Sequence, residues 1–218
     1  MISSKQTFIF TRVAKTGSTS VIQALRSGCE CTELDVSDRW RYDKNHFPTR
    51  VYKEALSDLG LSSLYKNYFK FAIVRNPWDR FVSIFHHVVF GNRDRGWDRG
   101  WLRKYGVKPV RRDCFKELLT RDDNIFKTFR PIKHLGLMSK YGNQYDFTLG
   151  CDFIGRFENL QQDFNTICNK IGIKQRQLPV LNNTNHKHYS EYYDDETREI
   201  VAQVYSKDIK YFGYKFDS

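Results

Sequence analysis

Short apolar runs alternate with amphipathic stretches along the whole chain. Runs rich in β-branched and aromatic residues are typical of buried strands, and they occupy residues 7–13, 68–75 and 152–158. Between and after them, apolar residues recur at helical spacing, which predicts helices at about 18–27, 50–58, 61–67, 77–90, 114–120, 122–141, 159–171 and 194–210. Strands that alternate with helices predict an α/β fold, in which helices flank a central, mostly parallel sheet.

Two of the predicted helices have one clearly apolar face. In helix 77–90 that face consists of Phe81, Ile84, Phe85, Val88 and Val89, while a separate polar edge carries Arg80, Ser83 and His87. In helix 159–171 the apolar stripe consists of Leu160, Phe164, Ile167 and Ile171, and Gly172 is a typical C-terminal stop. These faces predict where the helices pack.

The loop after the first strand has the composition of a phosphate site. Small hydroxyl residues surround Gly17, and a helix follows, so backbone N–H groups and the helix dipole converge on one point. Gly17 lets the backbone come close to a ligand because it has no Cβ, and Lys15 adds a positive charge. The loop is not a Walker A motif, because Lys15 precedes its only glycine. A plain strand-to-helix turn, with Ser and Thr as N-caps, is the alternative.

A second strand–loop–helix unit offers an arginine and a hydroxyl group. Arg75 ends the second strand, Asn76 and Pro77 suit the start of a helix, and Ser83 follows within two turns. A guanidinium group and a hydroxyl group suit a dianionic phosphate. The alternative is a surface arginine and a helix serine with no ligand. Ligands of parallel sheets bind at the carboxyl ends of the strands, and Lys15 and Arg75 both stand there.

The charge balance indicates an anionic partner. The 36 Lys and Arg residues outnumber the 25 Asp and Glu residues, for a formal net charge of +11. The segment 91–113 is a basic, aromatic-rich insertion that carries Trp97, Trp101 and Tyr105 among its arginines. Such a segment can bind an acidic saccharide or a nucleic-acid strand, or it can be a solvated surface.

Several classes of protein are disfavoured. No apolar run approaches the roughly 20 residues that cross a bilayer, and the polar residues before the first strand predict no signal peptide. The 5 cysteines form no C-x-x-C pair and are expected to be reduced thiols. A metal at Cys29 and Cys31 is disfavoured because nothing nearby completes a set of four ligands. A single domain over 1–218 is expected.

Four segments resemble the sulfotransferases that use 3′-phosphoadenosine 5′-phosphosulfate (PAPS), and specifically their carbohydrate branch. They lie in order along the chain, at 12–20, 69–83, 153–160 and 182–216, whereas 29–50 and 91–150 do not match closely. The resemblance implies the P-loop-like sulfotransferase fold, PAPS as the donor, adenosine 3′,5′-bisphosphate (PAP) as the product and no metal.

The resemblance also implies roles for the matched residues. Lys15 would bind the 5′-phosphosulfate and neutralise the leaving phosphate oxygen, and the 5′-phosphate would lie against Thr16, Gly17, Ser18 and Thr19. Arg75 and Ser83 would bind the 3′-phosphate, which separates this donor from ATP. Arg156, Lys187 and His188 are weaker candidates for contacts with the nucleotide. A metal at His186 and His188 is disfavoured because a basic loop near a bisphosphate is the better interpretation. Ala14 stands where the family often has proline.

His46 is the candidate base for the acceptor hydroxyl. An imidazole has a suitable pKa, and similar enzymes place a histidine before the 3′-phosphate strand. Competing bases are Glu33, Asp35 and His87, and the alternative for His46 is a loop histidine packed beside Phe47. The acceptor is expected to contact Trp97, Arg99 and Trp101.

The predicted function is in-line transfer of a sulfuryl group from PAPS to a hydroxyl group, with a carbohydrate acceptor favoured. One alternative is a nucleotide-dependent phosphotransferase, which Mg²⁺ dependence would reveal. Another is a basic nucleic-acid-binding protein with steeply salt-dependent binding. Golgi relatives carry a membrane anchor; without a predicted one, this chain is expected to be cytoplasmic.

Overall fold

A computed structural model describes residues 1–32, 46–89, 115–120, 141–181 and 187–217. The chain divides into two compact units, the first comprising Met1–Arg75 and Pro131–Asn183, the second Asn76–Arg130 and Thr184–Ser218. The single domain over 1–218 stays a prediction. The predicted helix at 122–141, save its last residue, and the basic segment at 91–113 lie outside the described residues.

The first unit is built on a four-stranded sheet. In spatial order the strands are β1 (Ile2–Ser3), β2 (Phe8–Thr11), β3 (Phe69–Val74) and β4 (Phe153–Arg156). β1 pairs antiparallel with β2, while β2, β3 and β4 run parallel to one another. The predicted α/β fold with a mostly parallel sheet is therefore confirmed. β1 was not predicted, because two residues are too few for a periodic pattern.

Most of the described helices were predicted, but the short helix α6 at Gln144–Thr148 was not. The described helices are α1 (Ser18–Arg26), α2 (Thr49–Asp58), α3 (Ser62–Asn67), α4 (Pro77–Val89), α5 (Phe115–Thr120), α6 (Gln144–Thr148), α7 (Leu160–Ile171), α8 (Asp195–Val204) and α9 (Ser206–Phe212). Short 3₁₀ turns cover Phe157–Asn159 and Tyr189–Tyr192. None of the helices in the described ranges is both long and apolar enough to cross a membrane.

Both faces of the sheet are covered, which explains why its strands are continuous apolar runs. Successive side chains of a strand point to opposite faces. Phe8 and Phe10 therefore share one core with α1 and α7, whereas Ile9 packs with α2 on the other side. The predicted stripe of α7 is confirmed, and Gly172 ends this helix in the left-handed conformation with φ of 71°.

The second unit holds helices α4, α5, α8 and α9. The apolar face of α4 is confirmed at Phe81, Ile84 and Phe85, which are buried, and the Phe81 and Phe85 rings meet Phe115 edge-on. The Asn76 side-chain oxygen accepts a hydrogen bond of 3.1 Å from the N–H of Trp78, so Asn76 begins α4 as expected.

The predicted polar edge of α4 is wrong at Arg80. Its side chain is fully buried, and its guanidinium carbon lies 5.7 Å from the centre of the Tyr205 ring. Asp208, which is also fully buried, faces the same tyrosine. Burial raises the pKa of Tyr205 to about 12. Helical spacing alone does not distinguish a buried arginine that has such neighbours from a solvated one.

The single helix predicted at 194–210 is also wrong. Helix α8 ends at Val204, α9 starts at Ser206, and Tyr205 separates them. The predicted start is correct, because the Asp194 carboxylate accepts a hydrogen bond of 2.9 Å from the N–H of Thr197 in a capping box.

Candidate active site

Basic residues gather at one edge of the sheet of the first unit. Arg75 directly follows β3, Arg156 is the last residue of β4, and Lys15 comes four residues after the end of β2. Because the carboxyl ends of parallel strands share an edge, the topology brings these three residues to the same side of the sheet.

The loop after β2 has an unusual backbone. Lys15 and Gly17 are both left-handed, with φ of 69° and 75°. A non-glycine residue in this region is uncommon, and such strain is characteristic of functional loops. Between them, Thr16 is fully buried and its hydroxyl group donates to the carbonyl of Val13 at 2.9 Å. The hydroxyl proton of Thr16 is therefore already used within the loop.

Helix α1 begins at this loop without a side-chain cap. Its N-cap is Gly17, and within the described residues no side chain caps it by a hydrogen bond. The alternative interpretation, a turn capped by Ser or Thr, is therefore wrong. Ser18 is buried and Thr19 is exposed. The positive end of a nine-residue helix thus starts at the loop that carries Lys15, as an anion site requires.

The contacts of Gly17 explain why this position needs glycine. A Cβ there would lie 2.8 Å from Cδ2 of Leu160 and 3.1 Å from Cδ2 of Phe157. The sequence pattern alone suggests that a ligand occupies this space. In the structure, the first turn after β4 and the start of α7 already fill one side of Gly17.

Arg75 is held on three sides. It is 8% exposed, and its Nη1 donates to the carbonyl of Lys15 at 3.4 Å. Its guanidinium carbon lies 4.0 Å from the centre of the Phe157 ring. Its backbone N–H donates to Oε1 of Gln144 at 2.9 Å, and its carbonyl accepts from Nε2 of Gln144 at 2.8 Å. The two basic residues predicted to bind phosphates therefore touch each other.

Sequence reasoning missed the contributions of Gln144 and Phe157. Phe157 stands within the third segment that resembles the sulfotransferases, so its neighbourhood was detectable although its contact with Arg75 was not. Gln144 carries no signal of its own, because a polar residue at a helix start is normally solvated. Here it is fully buried.

The candidate base His46 lies at the start of α2. It is half-buried and three residues before Thr49, and three residues of extended chain span at most about 10 Å. The Thr49 hydroxyl lies 2.8 Å from the Thr11 hydroxyl at the end of β2. The neighbouring Phe47 is buried and its ring packs 4.8 Å from that of Tyr52. The start of α2 thus lies beside the end of β2, and His46, three residues before it, remains a candidate.

Cys151 also lies beside Thr49, but it is a poor nucleophile. Its sulfur is 3.2 Å from Oγ1 of Thr49. Burial raises the pKa of the Cys151 thiol to about 11, so the thiol is neutral near pH 7. The cysteines in the described ranges, which are Cys29, Cys31, Cys151 and Cys168, form no disulfide bonds.

The remaining candidates lie in both units. Arg156 is half-buried, and its backbone N–H donates to Oδ2 of Asp163 at 2.5 Å. Exposed Lys187 forms an ion pair of 3.3 Å with Glu191. On α4 of the second unit, Ser83 is half-buried and His87 is exposed. Outside the described residues lie Glu33, Asp35, Trp97, Arg99, Trp101 and His186.

In the described part of the chain, no three His, Cys, Asp or Glu side chains are grouped to hold a metal ion. Nδ1 of His188 lies 2.8 Å from the Ser190 hydroxyl, which is hydrogen-bonding distance.

Comparison with known proteins decides the family. A model described as the sulfotransferase family matches residues 1–215. The chain belongs to the sulfotransferase family. The PAPS-dependent sulfotransferases named from the Lys15 and Arg75 motifs are therefore the correct family.

Similar proteins include named sulfotransferases. Carbohydrate sulfotransferase 9 of Homo sapiens is 26% identical over 231 residues, which cover 95% of this chain and 47% of the relative. Carbohydrate sulfotransferase 10 of Homo sapiens is 23% identical over 243 residues, covering 98% of this chain and 66% of the relative. The chain thus spans between about half and two thirds of the length of these sulfotransferases. No solved structure matches the chain.

Proposed function

We propose that this sulfotransferase moves a sulfuryl group from PAPS to a hydroxyl group of a carbohydrate. The family supports the reaction class. The relatives named carbohydrate sulfotransferases support the choice of acceptor. The acceptor contacts at Trp97, Arg99 and Trp101, and a cytoplasmic setting, remain predictions from the sequence.

The hydrogen bond between Arg75 and the backbone of Lys15 is the observation that carries the proposal. The donor has a phosphosulfate at its 5′ end and a phosphate at its 3′ position, so its site needs two cationic centres that are held relative to each other. The Arg75 guanidinium donates to the Lys15 carbonyl at 3.4 Å, which connects the loop after β2 to the end of β3. The role of Ser83 at the 3′-phosphate remains a prediction.

Lys15 is the proposed stabiliser of the leaving group. PAPS supplies the sulfuryl group: the bond from sulfur to the 5′-phosphate oxygen breaks while the bond from sulfur to the acceptor oxygen forms. Negative charge then accumulates on the phosphate oxygen. The Lys15 ammonium group and the N–H groups at the start of α1 neutralise it without a metal. The left-handed backbone at Lys15 is consistent with a loop shaped for this task.

His46 is the proposed base. The acceptor hydroxyl must lose its proton as it attacks, and a neutral imidazole accepts a proton near pH 7. The role is supported by the position of His46 three residues before Thr49, whose hydroxyl lies 2.8 Å from that of Thr11 at the end of β2.

Calorimetric titration tests the donor site. We expect tight binding of PAP and much weaker binding of AMP and ATP, all without added metal, because only PAP carries the 3′-phosphate. Arg75→Ala should weaken PAP binding by about tenfold or more and AMP binding far less. Equal losses for both ligands would refute the 3′-phosphate role of Arg75. A preference for ATP would favour the phosphotransferase, and binding of none of the three would direct attention to nucleic acids.

Transfer of labelled sulfate tests the base. His46→Ala should lower turnover by about 100-fold or more and leave the affinity for PAP unchanged. A transfer rate equal to that of the wild type would assign the base role to another residue. His86→Ala provides the histidine control, because His86, whose Nε2 lies 2.8 Å from the Tyr192 hydroxyl, is assigned no role at the donor or the acceptor.

A further inference from the structure

The backbone at Arg75 lies beyond the last paired residues of the sheet. β2 ends at Thr11, which is opposite Ala72, and β4 ends at Arg156, which is opposite Val74. Arg75 therefore lies one residue beyond the last residue of β3 that pairs with β4, and three residues beyond the last one that pairs with β2. Buried backbone groups require partners, and without them the direction of this residue would be poorly defined.

The side chain of Gln144 takes the place of a neighbouring strand. Its Oε1 accepts from the N–H of Arg75 at 2.9 Å, and its Nε2 donates to the carbonyl of Arg75 at 2.8 Å. Gln144 is fully buried, so water does not compete for these bonds. A primary amide is the side chain that matches both backbone groups of one residue with one acceptor and one donor.

The element that carries Gln144 is itself anchored to the edge of the sheet. Gln144 is the first residue of α6. Within α6, the carbonyl of Phe147 accepts from the Thr49 hydroxyl at 2.8 Å, and that hydroxyl lies 2.8 Å from the hydroxyl of Thr11 at the end of β2. A short helix is thereby tied to the end of β2 at one point and to the end of β3 at another.

The position of the Arg75 guanidinium group depends on the backbone of Arg75 being fixed. The face of this group lies against Phe157 at 4.0 Å, and its Nη1 reaches the carbonyl of Lys15 at 3.4 Å. Arginine binds phosphate through the fork of its N–H donors, approached edge-on, and the proposed function assigns this contact to Arg75. A rotation at Cα of Arg75 would shift the fork, since a small displacement of a positioning group is amplified at the end of a long side chain.

From these contacts we propose that Gln144 is a positioning residue for the 3′-phosphate contact of Arg75, and so a determinant of selectivity for PAPS and PAP over nucleotides without a 3′-phosphate. The inference rests on the proposed function. Gln144 is assigned no contact with the donor or the acceptor, and it acts only through the backbone of Arg75.

The test compares variants of Gln144 with a matched glutamine elsewhere. Gln161 makes a similar pair of bonds, donating to the carbonyl of Arg176 at 3.0 Å and accepting from the N–H of Leu178 at 2.8 Å, within the same unit. Gln144→Leu removes the pair of bonds to Arg75, and Gln161→Leu removes its own pair together with the bond of 2.9 Å from Nε2 of Gln161 to Oδ1 of Asn165. The measured quantity is the ratio of the dissociation constants for AMP and PAP, obtained by calorimetry with the full chain.

We expect Gln144→Leu to lower the AMP-to-PAP ratio by about tenfold, because the 3′-phosphate contact is lost while the 5′-phosphate site persists. In transfer assays the same variant should raise KM for PAPS more than it lowers kcat. Gln161→Leu should reduce thermal stability but leave the ratio within about twofold of the wild type. An unchanged ratio in folded Gln144→Leu would overturn the proposal.

A second variant keeps the proposal testable if Gln144→Leu does not fold. In Gln144→Glu, the introduced carboxyl group matches the amide only when it is protonated, since it then donates to the Arg75 carbonyl and accepts from the Arg75 N–H. The AMP-to-PAP ratio of Gln144→Glu should therefore rise towards the wild-type ratio as the pH falls, when the two proteins are compared at each pH. A ratio that follows the wild type at every pH would overturn the proposal.

The outcomes separate this inference from the proposed function. A wild-type protein that does not prefer PAP to AMP contradicts the proposed donor site itself. A wild-type protein that prefers PAP, with variants of Gln144 that keep the preference, contradicts only the role of Gln144.

Discussion

The two ends of helix α1 differ in how they are capped. At the N-terminal end, Gly17 is left-handed and within the described residues no side chain caps the helix. At the C-terminal end, the Arg176 guanidinium donates to the carbonyl of Ala24 at 3.4 Å and to the hydroxyl of Ser27 at 2.7 Å. A cation satisfies the negative end of the helix from within the fold, whereas the positive end begins at the loop proposed to bind the donor.

Both ends use glycine, for different reasons. A Cβ at Gly17 would meet Leu160 and Phe157, while a Cβ at Gly28 would lie 2.5 Å from Nη2 of Arg176. Packing of large apolar groups fixes the first glycine, and access for a flexible charged side chain explains the second. The two glycines therefore make room for different neighbours, apolar side chains at the N-terminal end and a guanidinium group at the C-terminal end.

Removing the charge at the N-terminal end should have the largest effect. Lys15→Ala is expected to lower turnover by about 100-fold or more, because the leaving oxygen loses its ammonium partner. The fold should persist, since Lys15 is half-buried in a loop. Rates of sulfate transfer and the thermal midpoint measure the two effects. Lys170→Ala, an exposed lysine at the end of α7, controls for net charge. If both variants lose turnover equally, Lys15 has no special role.

Gly17→Ala should damage stability and donor binding together. The left-handed φ costs about 1–2 kcal/mol for a residue with a Cβ, and the clash with Leu160 adds about 1–3 kcal/mol. Gly172→Ala is a matched control, because Gly172 has φ of 71° but a Cβ at this position would meet only open space. Urea denaturation should show the smaller loss in the control, and only Gly17→Ala should weaken PAP binding. Similar losses in the two variants would mean that the packing at Gly17 is unimportant.

At the C-terminal end, Arg176→Ala should cost about 1 kcal/mol of stability without changing PAP affinity, since the guanidinium caps α1 but lies at the other end of the helix. Gly28→Ala should displace the same guanidinium group. The loss of unfolding free energy caused by Gly28→Ala should therefore largely disappear when Arg176 is already replaced by alanine. Additive losses in a double-mutant cycle by urea denaturation would show that the two residues act independently.

The smallest effect concerns Cys29, beside the C-terminal end. Burial raises the pKa of the Cys29 thiol, while a hydrogen bond from Cys31 and the charge of Arg176 lower it in part. Arg176→Met keeps the volume but removes the charge, so the pKa should rise further. The alkylation rate of Cys29 by iodoacetamide can be followed by peptide mass spectrometry across pH. The pH at which this rate is half-maximal should then be higher than in the wild type. An unchanged half-maximal pH would show that the charge of Arg176 does not reach this thiol.

The raised pKa of Cys29 also has a consequence for stability. A thiol whose folded-state pKa exceeds its unfolded value stabilises the fold fully below the unfolded pKa. This contribution is lost as the pH rises through the folded-state pKa. The end of α1 that carries Cys29 should therefore weaken at alkaline pH, and a Cys29→Ala variant should lose less stability over that range.

The local sequence pattern was sufficient to locate the strands and loops that carry the candidate site. Apolar runs located β2, β3 and β4, and the order of strands and helices implied a mostly parallel sheet. Since parallel strands expose their carboxyl ends at one edge, Lys15 and Arg75 could be assigned to a common site. The capping box at Asp194 was equally readable, because its partner Thr197 is three residues away.

Tertiary structure decided what holds that site in shape. Gln144 reaches Arg75 across 69 residues of sequence, and Arg176 reaches Ala24 across 152. Arg80 stands on the polar side of a helical pattern and is nevertheless buried. A sequence determines such periodic and nearest-neighbour features by itself, because they depend on a few adjacent residues. Whether a polar side chain is solvated, or is buried with its bonds made to distant backbone, depends on which segments the fold brings together.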